Sequence, residues 1–119
     1  MSKSIAVYGI ANCDTVRKAR AWLAEQQVDY RFHDFKKDGL PLERVDDWLA
    51  AAGWETLVNR KGTTWRKLDE ATRNGVTDAA TARALIQQQP SVVKRPVVEW
   101  GGEITVGFDP QRWEALARR

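Results

Sequence analysis

The segment 5–23 constrains the fold most strongly, because its pattern predicts an apolar strand, a short loop and a helix in immediate succession. Apolar strand formers begin at Ile5, and Gly9 ends the predicted strand. From Val16 onward, apolar residues recur at helical spacing and basic residues lie between them. The only cysteine of the chain, Cys13, therefore falls between the strand and the start of the helix.

Asn12, Cys13 and Asp14 occupy the predicted helix start, where the first backbone N–H groups lack intrahelical partners and the helix dipole is positive. A thiolate at this place is stabilised, so the pKa of Cys13 should fall and its sulfur should become a nucleophile at neutral pH. Arg17 follows Cys13 by four residues and could reach back to the sulfur from the same helix face. The charge of Asp14 opposes this effect unless its carboxylate points away.

A lone cysteine has a second explanation, since a free thiol often packs as a small buried hydrophobe. The polar neighbours of Cys13 and its place at a helix start favour a reactive thiol instead. With one Cys and one His, the chain excludes an internal disulfide and a cysteine-based zinc or iron–sulfur cluster. We therefore expect no metal site and no bound cofactor.

The length of 119 residues predicts a single domain over 1–119 with a substantial core. The first apolar run is too short for a signal peptide, and no stretch approaches the length of a membrane span, so we expect no membrane partner. A cytoplasmic location follows as the default, and there a thiol stays reduced. The formal net charge of +3 suits a small anionic ligand, but no dense basic patch favours nucleic-acid binding.

The rest of the chain predicts a second strand, several helices and a terminal hairpin with a final helix. The second strand is expected within 28–35, followed by a loop over 36–41 and a helix over 42–52. A further helix capped by Thr63 or Thr64 should carry Trp65, Leu68 and Ala71 on one face. Another should start at Thr77 or Asp78 and end before Pro90.

The last section returns to strand periodicity. Gly101-Gly102 predicts a two-residue hairpin turn, and Asp109-Pro110 predicts the start of a final helix. The predicted order is β-α-β, about three helices, then β-β-α. This is an α/β arrangement of the thioredoxin type, with a mixed four-stranded sheet and a helical insertion between strands 2 and 3 over about 42–90.

Three pieces of the sequence, YGIANCDTVRKAR, LVNRKGT and KRPVV followed by the Gly-Gly hairpin and VGFD, resemble the ArsC family of glutaredoxin-type arsenate reductases. The likeness spans nearly the whole chain and is greatest to the YffB branch, which is related to Spx. It implies that Cys13 is the nucleophile, that Arg60 and Arg95 bind an oxyanion or the glutathione carboxylates, and that Pro96 is a cis-proline. Arg17 matches a basic residue of the family motif, and Asn12 falls inside the matching segment. The resemblance implies that Asn12, Arg17 and Pro96 also take part in binding substrate or glutathione.

Three departures from the family pattern weaken the case for arsenate reduction. Val16 stands where the motif has Ser or Cys, Gly9 stands where arsenate reductases carry a His, and the hairpin exit at Gly107 lacks their third arginine. The first hypothesis is therefore a glutathione-dependent thiol reductase, with glutathione or another small thiol as co-substrate and an oxidised small molecule or protein as substrate. The alternatives are an arsenate reductase, an Spx-like regulator that binds RNA polymerase, and a scaffold that has lost its chemistry.

Overall fold

A computed structural model describes residues 4–118, which fall into two compact units. The first, termed the sheet unit, contains 4–39 and 95–118. The second, termed the helical unit, spans Leu40–Lys94. The helical unit interrupts the sheet unit between its second and third strands, where the sequence predicts an insertion over about 42–90. The prediction of one domain over 1–119 stays a prediction.

The sheet unit is built on four strands in the order β2-β1-β3-β4. Strand β1 pairs in parallel with β2 and antiparallel with β3, and β3 pairs antiparallel with β4. The predicted mixed four-stranded sheet is thereby confirmed. The elements of this unit are β1 Ala6–Gly9, α1 Asp14–Glu25, β2 Arg31–Asp34, α2 Phe35–Asp38, β3 Val97–Glu99, β4 Ile104–Val106 and α8 Pro110–Ala117.

The core of the sheet unit forms where side chains from β1, α1 and β3 meet those of α8. Val7, Leu23 and Val98 are fully buried in it, together with Trp113 of the last helix. The indole of Trp113 packs edge-on against Trp100, with ring centroids 5.2 Å apart. Burial of these apolar side chains stabilises the strand–helix pair that carries Cys13.

The helical unit contains α3 Leu42–Ala52, α4 Trp54–Leu57, α5 Thr63–Arg66, α6 Glu70–Asn74, α7 Ala79–Gln88 and a 3-10 turn Pro90–Val92. The helices predicted over 42–52 and from Asp78 are confirmed, and Asp78 forms a capping box with Thr81. The single helix predicted from Thr63 or Thr64 is wrong. It divides into α5 and α6, because Asp69 accepts the Thr72 N–H and starts a new helix.

The segment 36–41 departs from the predicted loop. Asp34 caps a single helical turn, α2, by accepting the N–H of Lys36 at 2.8 Å. Gly39, with a φ of 81°, ends that turn, since a positive φ is available to glycine without steric cost. His33 of β2 is half-buried, and its Nε2 lies 2.8 Å from the Gly39 carbonyl oxygen.

Within residues 4–118, no helix has the length and apolar character needed to cross a membrane.

Candidate active site

Cys13 lies where the chain passes from the end of β1 into α1. Its backbone is extended, with φ −139° and ψ 126°, and Asp14 is the first helical residue. The side chain is half-buried. The fully buried apolar positions nearby are Val7 on the strand and Val16 and Ala19 on the helix. Cys13 is therefore a partly accessible thiol at a helix start, and it is not a packing residue of the buried core.

Several groups act on the Cys13 sulfur, and together they lower its pKa from the ordinary value of 9.0. Burial raises the pKa, but the backbone N–H of Val16, the guanidinium of Arg95 and the backbone N–H of Thr15 outweigh it. Both amides belong to the first turn of α1, so the start of the helix helps to stabilise the thiolate. Arg95 acts through both a hydrogen bond and its charge.

Arg95 and Pro96 reach this place because they precede β3. Val97 pairs with Tyr8 near the end of β1, so the residues just before Val97 lie beside Gly9. The Arg95–Pro96 peptide bond is cis, as the family resemblance implies. Pro96 is buried, and its carbonyl accepts the N–H of Gly107 at 2.9 Å. The strand order thus brings a cation from the far end of the sequence to the thiol.

Gly9 and the side chain of Val16 are packed closely against each other. A Cβ added at Gly9 would lie 2.9 Å from Val16 Cγ2 and 3.9 Å from Arg95 Cβ. The Val16 side chain is fully buried. Because the first distance is below a van der Waals contact, a larger residue at position 9 and Val16 exclude each other in this packing. Two of the departures from arsenate reductases are therefore physically coupled.

The structure corrects the expectation for Arg17. Its guanidinium contacts the Asp14 carboxylate at 2.6 Å and Asn12 Oδ1 at 3.3 Å. The cation that acts on the sulfur is Arg95 instead. The contact with Arg17 also offsets the charge of Asp14, which the sequence suggested would oppose a thiolate. Binding of substrate or glutathione by Asn12 and Arg17 stays a prediction.

Arg60 belongs to the helical unit, directly after a short antiparallel contact between Val58 and Val93. Its guanidinium is 3.6 Å from the Glu55 carboxylate and 5.3 Å from the centre of the Trp54 ring. The side chain is exposed on the surface of this unit. Its implied role toward an oxyanion or glutathione stays a prediction.

Sequence reasoning missed Asp34, the last residue of β2. Its carboxylate is buried and accepts the backbone N–H of Ala11, in the loop that leads to Cys13, at 3.2 Å. The available signal was an aspartate at a helix start, but strand periodicity continued through Phe35 and concealed it. Among residues 4–118, no three His, Cys, Asp or Glu side chains are grouped so that they could hold a metal ion.

One protein family matches this sequence over most of the length of the chain. The sequence model of the ArsC family aligns with residues 8–116, which include the thiol, the Arg95–Pro96 pair and the hairpin. The chain belongs to the ArsC family.

Two solved structures of this family are similar to the chain throughout. The YffB protein is 48% identical, with a TM-score of 0.91 over 96% of this chain and 99% of that one. An arsenate reductase related protein from Brucella melitensis is 53% identical, with a TM-score of 0.76 over 97% and 95%. The likeness to the YffB branch and the thioredoxin-like fold are thereby confirmed.

Two kinds of curated protein are also similar to this chain, an uncharacterized protein and a transcriptional regulator. An uncharacterized protein from Haemophilus influenzae is 40% identical over 93% of this chain and 96% of its own length. The global transcriptional regulator Spx from Streptococcus pyogenes is 27% identical over 91% of this chain and 81% of its own. Arsenate-reductase-like proteins and a transcriptional regulator are thus both relatives of this chain.

Proposed function

We propose that this ArsC-family chain is a glutathione-dependent thiol reductase with Cys13 as its single nucleophile. The observation that carries the proposal is the lowered pKa of the Cys13 thiol, which the helix-start amides and Arg95 produce on a half-buried sulfur. A thiolate is the form of cysteine that attacks disulfides. The chain holds no second cysteine, so an outside thiol must complete the reaction.

The reaction balances with a mixed disulfide of glutathione as substrate. The Cys13 thiolate attacks the glutathione sulfur, the disulfide bond breaks, and the other sulfur leaves as a thiolate that takes up a proton. The thiolate of a second glutathione then attacks the glutathione sulfur bound to Cys13. Glutathione disulfide forms, and the Cys13 thiolate is regenerated. In the net change, the mixed disulfide and one free glutathione become glutathione disulfide and the substrate thiol, so one disulfide bond is exchanged for another.

Arg95 has two roles in this proposal. A guanidinium carries five N–H donors in a planar fork, so one can hold the thiolate while others receive a carboxylate of glutathione. Asn12, Arg17, Arg60 and Pro96 are proposed to complete the glutathione contacts, as the resemblance implies. A cytoplasmic location, where glutathione and reduced thiols are found, is part of the same proposal.

Arsenate reduction is the less favoured alternative. A compact oxyanion requires several cations that converge on the sulfur. In the sheet unit, the cation that acts on the Cys13 thiol is Arg95, whereas Val106, Gly107 and Phe108 occupy the hairpin exit where arsenate reductases carry an arginine. An Spx-like role at RNA polymerase rests on the relationship to Spx, but Val16 leaves no C-x-x-C thiol pair for a redox switch.

The test consists of two titrations, one with glutathione and one with arsenate, in which binding is detected by changes in the amide chemical shifts. The intact mass of the protein after incubation with oxidised glutathione is a second readout. Glutathione should perturb amides near Cys13, Arg60 and Val97, and oxidised glutathione should add one glutathione group to the protein mass. Arsenate should perturb little. Robust arsenate turnover without glutathione-induced shifts would reverse this ranking, and recovery of RNA polymerase in a pull-down would favour the regulator.

A further inference from the structure

Asp34 is a buried carboxylate that the proposed chemistry does not use. Its residue is 6% exposed at the end of β2, within the sheet unit. Carboxylates are rarely buried unless hydrogen bonds or charges compensate the loss of water. The hydrogen-bond partners of Asp34 therefore indicate its structural role.

The two carboxylate oxygens serve two different segments. Oδ1 accepts the N–H of Lys36 at 2.8 Å and caps α2. Oδ2 accepts the N–H of Ala11 at 3.2 Å, and Ala11 lies two residues before Cys13. One side chain thus links the turn after β2 to the loop that carries the thiol.

Strand pairing makes this link possible. Gly9 and Asp34 are partners at the ends of the parallel strands β1 and β2, so the chain leaves both strands at the same edge of the sheet. Residues 10–12 then connect Gly9 to Cys13, and the Asp34 carboxylate holds this connection near its middle. Because α1 begins at Asp14, the position of this loop sets where the sulfur meets the helix-start amides.

The carboxylate remains ionised at neutral pH, which keeps both oxygens as acceptors. Burial raises the pKa of Asp34, but the backbone N–H groups of Lys36, Ala11 and Lys37 and the charge of Lys37 outweigh it, so the pKa lies below its ordinary value of 3.8. Hydrogen bonds to a charged acceptor are stronger than neutral ones. The ionised Asp34 carboxylate therefore holds the loop 10–12 firmly in place.

We propose that Asp34 is a positioning residue for Cys13, whose carboxylate fastens the loop 10–12 and so holds the sulfur at the start of α1. The inference rests on the proposed function only in taking Cys13 as the nucleophile. Its readout is the reactivity of the thiol toward an alkylating reagent, which requires no glutathione. The inference can therefore be tested even if the protein does not bind glutathione.

The discriminating variant is Asp34→Asn. Asparagine caps helices well, but its NH2 group replaces one of the two carboxylate oxygens, so either the Lys36 or the Ala11 N–H would face a donor instead of an acceptor. We expect several-fold slower alkylation of Cys13 at neutral pH, since a loosened loop weakens the contacts of the sulfur with the amides and Arg95. Loss of a nearby negative charge acts in the opposite direction, because it lowers a thiol pKa and speeds alkylation. Unchanged or faster alkylation would therefore overturn the proposal.

Asp38→Asn is the matched control. Asp38 lies on the same turn, and its carboxylate accepts the N–H of Asp34 at 3.0 Å. The variant removes the same charge from the same turn and leaves the bond to Ala11 in place. Its alkylation rate should equal or slightly exceed that of the unaltered protein, and a loss equal to that of Asp34→Asn would contradict a specific role for Asp34.

A measurement on the unaltered protein covers the case in which Asp34→Asn does not fold. On acidification, the amide resonances of Ala11 and Lys36 should move together as Asp34 takes up its proton, at a pH below the ordinary aspartate range. Movement of Lys36 with no movement of Ala11 would show a helix cap alone and would overturn the proposal.

Discussion

The guanidinium of Arg95 stabilises the thiolate of Cys13 through a hydrogen bond and through its charge, although most of the chain separates the two residues. The sheet makes the pairing possible, since Val97 lies next to Tyr8 and Arg95 therefore lies at the end of β1. The reactivity of the thiol thus depends on the third strand as well as on the helix that follows Cys13.

Cys13→Ser should abolish thiol transfer and leave the fold almost intact, because Cys13 lies outside the buried core. Serine is similar in size, but its hydroxyl does not form a nucleophilic anion at neutral pH. The check is the intact mass after incubation with oxidised glutathione, together with thermal unfolding. A Ser variant that still acquired glutathione would show that Cys13 is not the reacting group.

Arg95→Ala should raise the pKa of the Cys13 thiol, because it removes both the hydrogen bond and the charge of the guanidinium. Alkylation at neutral pH should slow, and its pH profile should move to higher pH. Glutathione binding should weaken by about 1.5–3 kcal/mol if Arg95 also receives a carboxylate. The measurements are pH-dependent alkylation and calorimetric titration.

Arg17→Ala is the control for Arg95→Ala. Arg17 is the cation next to the thiol in sequence, but its guanidinium contacts Asp14 and Asn12. The variant should shift the alkylation profile less than Arg95→Ala does, because it uncovers the Asp14 charge but removes no direct partner of the sulfur. Equal effects of the two substitutions would mean that general positive charge, and not Arg95, sets the thiol pKa.

The lowered pKa of Cys13 also predicts how stability depends on pH. In the unfolded chain the thiol takes its ordinary pKa of 9.0, whereas in the folded chain the pKa is lower. The resulting stabilisation is complete above the unfolded pKa and is lost as the pH falls through the folded pKa. Under reducing conditions, the free energy of unfolding should therefore rise more between neutral pH and pH 9.0 in the unaltered protein than in Cys13→Ser. Parallel curves from urea titrations would contradict this.

Gly9→Ala should destabilise the sheet unit by about 1–3 kcal/mol, since the new methyl group would lie 2.9 Å from Val16 Cγ2. Combining it with Val16→Ala should restore part of the loss, so the two substitutions should be non-additive. Gly75→Ala is a control in the helical unit, because its φ is −78° and the nearest atom would be 3.4 Å away. Urea titration of the three variants and the control tests the coupling.

Thr105→Val should destabilise the protein by about 1–3 kcal/mol without altering thiol reactivity. The Thr105 hydroxyl accepts the N–H of the buried Trp100 indole at 2.9 Å, and valine would leave that donor without its partner. Thr105→Ser keeps the acceptor and should lose less stability. A change in Cys13 alkylation that matched the loss of stability would show that the hairpin and the thiol are coupled.

Local chemistry in the sequence predicted much of this protein. The strand, loop and helix around Cys13 follow from apolar periodicity, the hairpin from Gly101-Gly102, and the helix start at Asp78 from a capping residue. These features depend on neighbours within a few residues, which the sequence displays directly. The place of the Cys13 thiol at a helix start and the direction of its pKa shift could therefore be predicted from the sequence.

The partners of the thiol and of its loop were decided by the tertiary structure. Sequence proximity favoured Arg17 as the cation at the sulfur, whereas strand pairing brings Arg95 there and Arg17 contacts Asp14. Asp34 reaches Ala11 because two parallel strands end together, a relationship that no local pattern contains. A sequence determines which groups a chain carries and where its helices and strands start, but hydrogen bonds and charges act over a few ångströms in space. Only the folded sheet determines which distant groups come within that range.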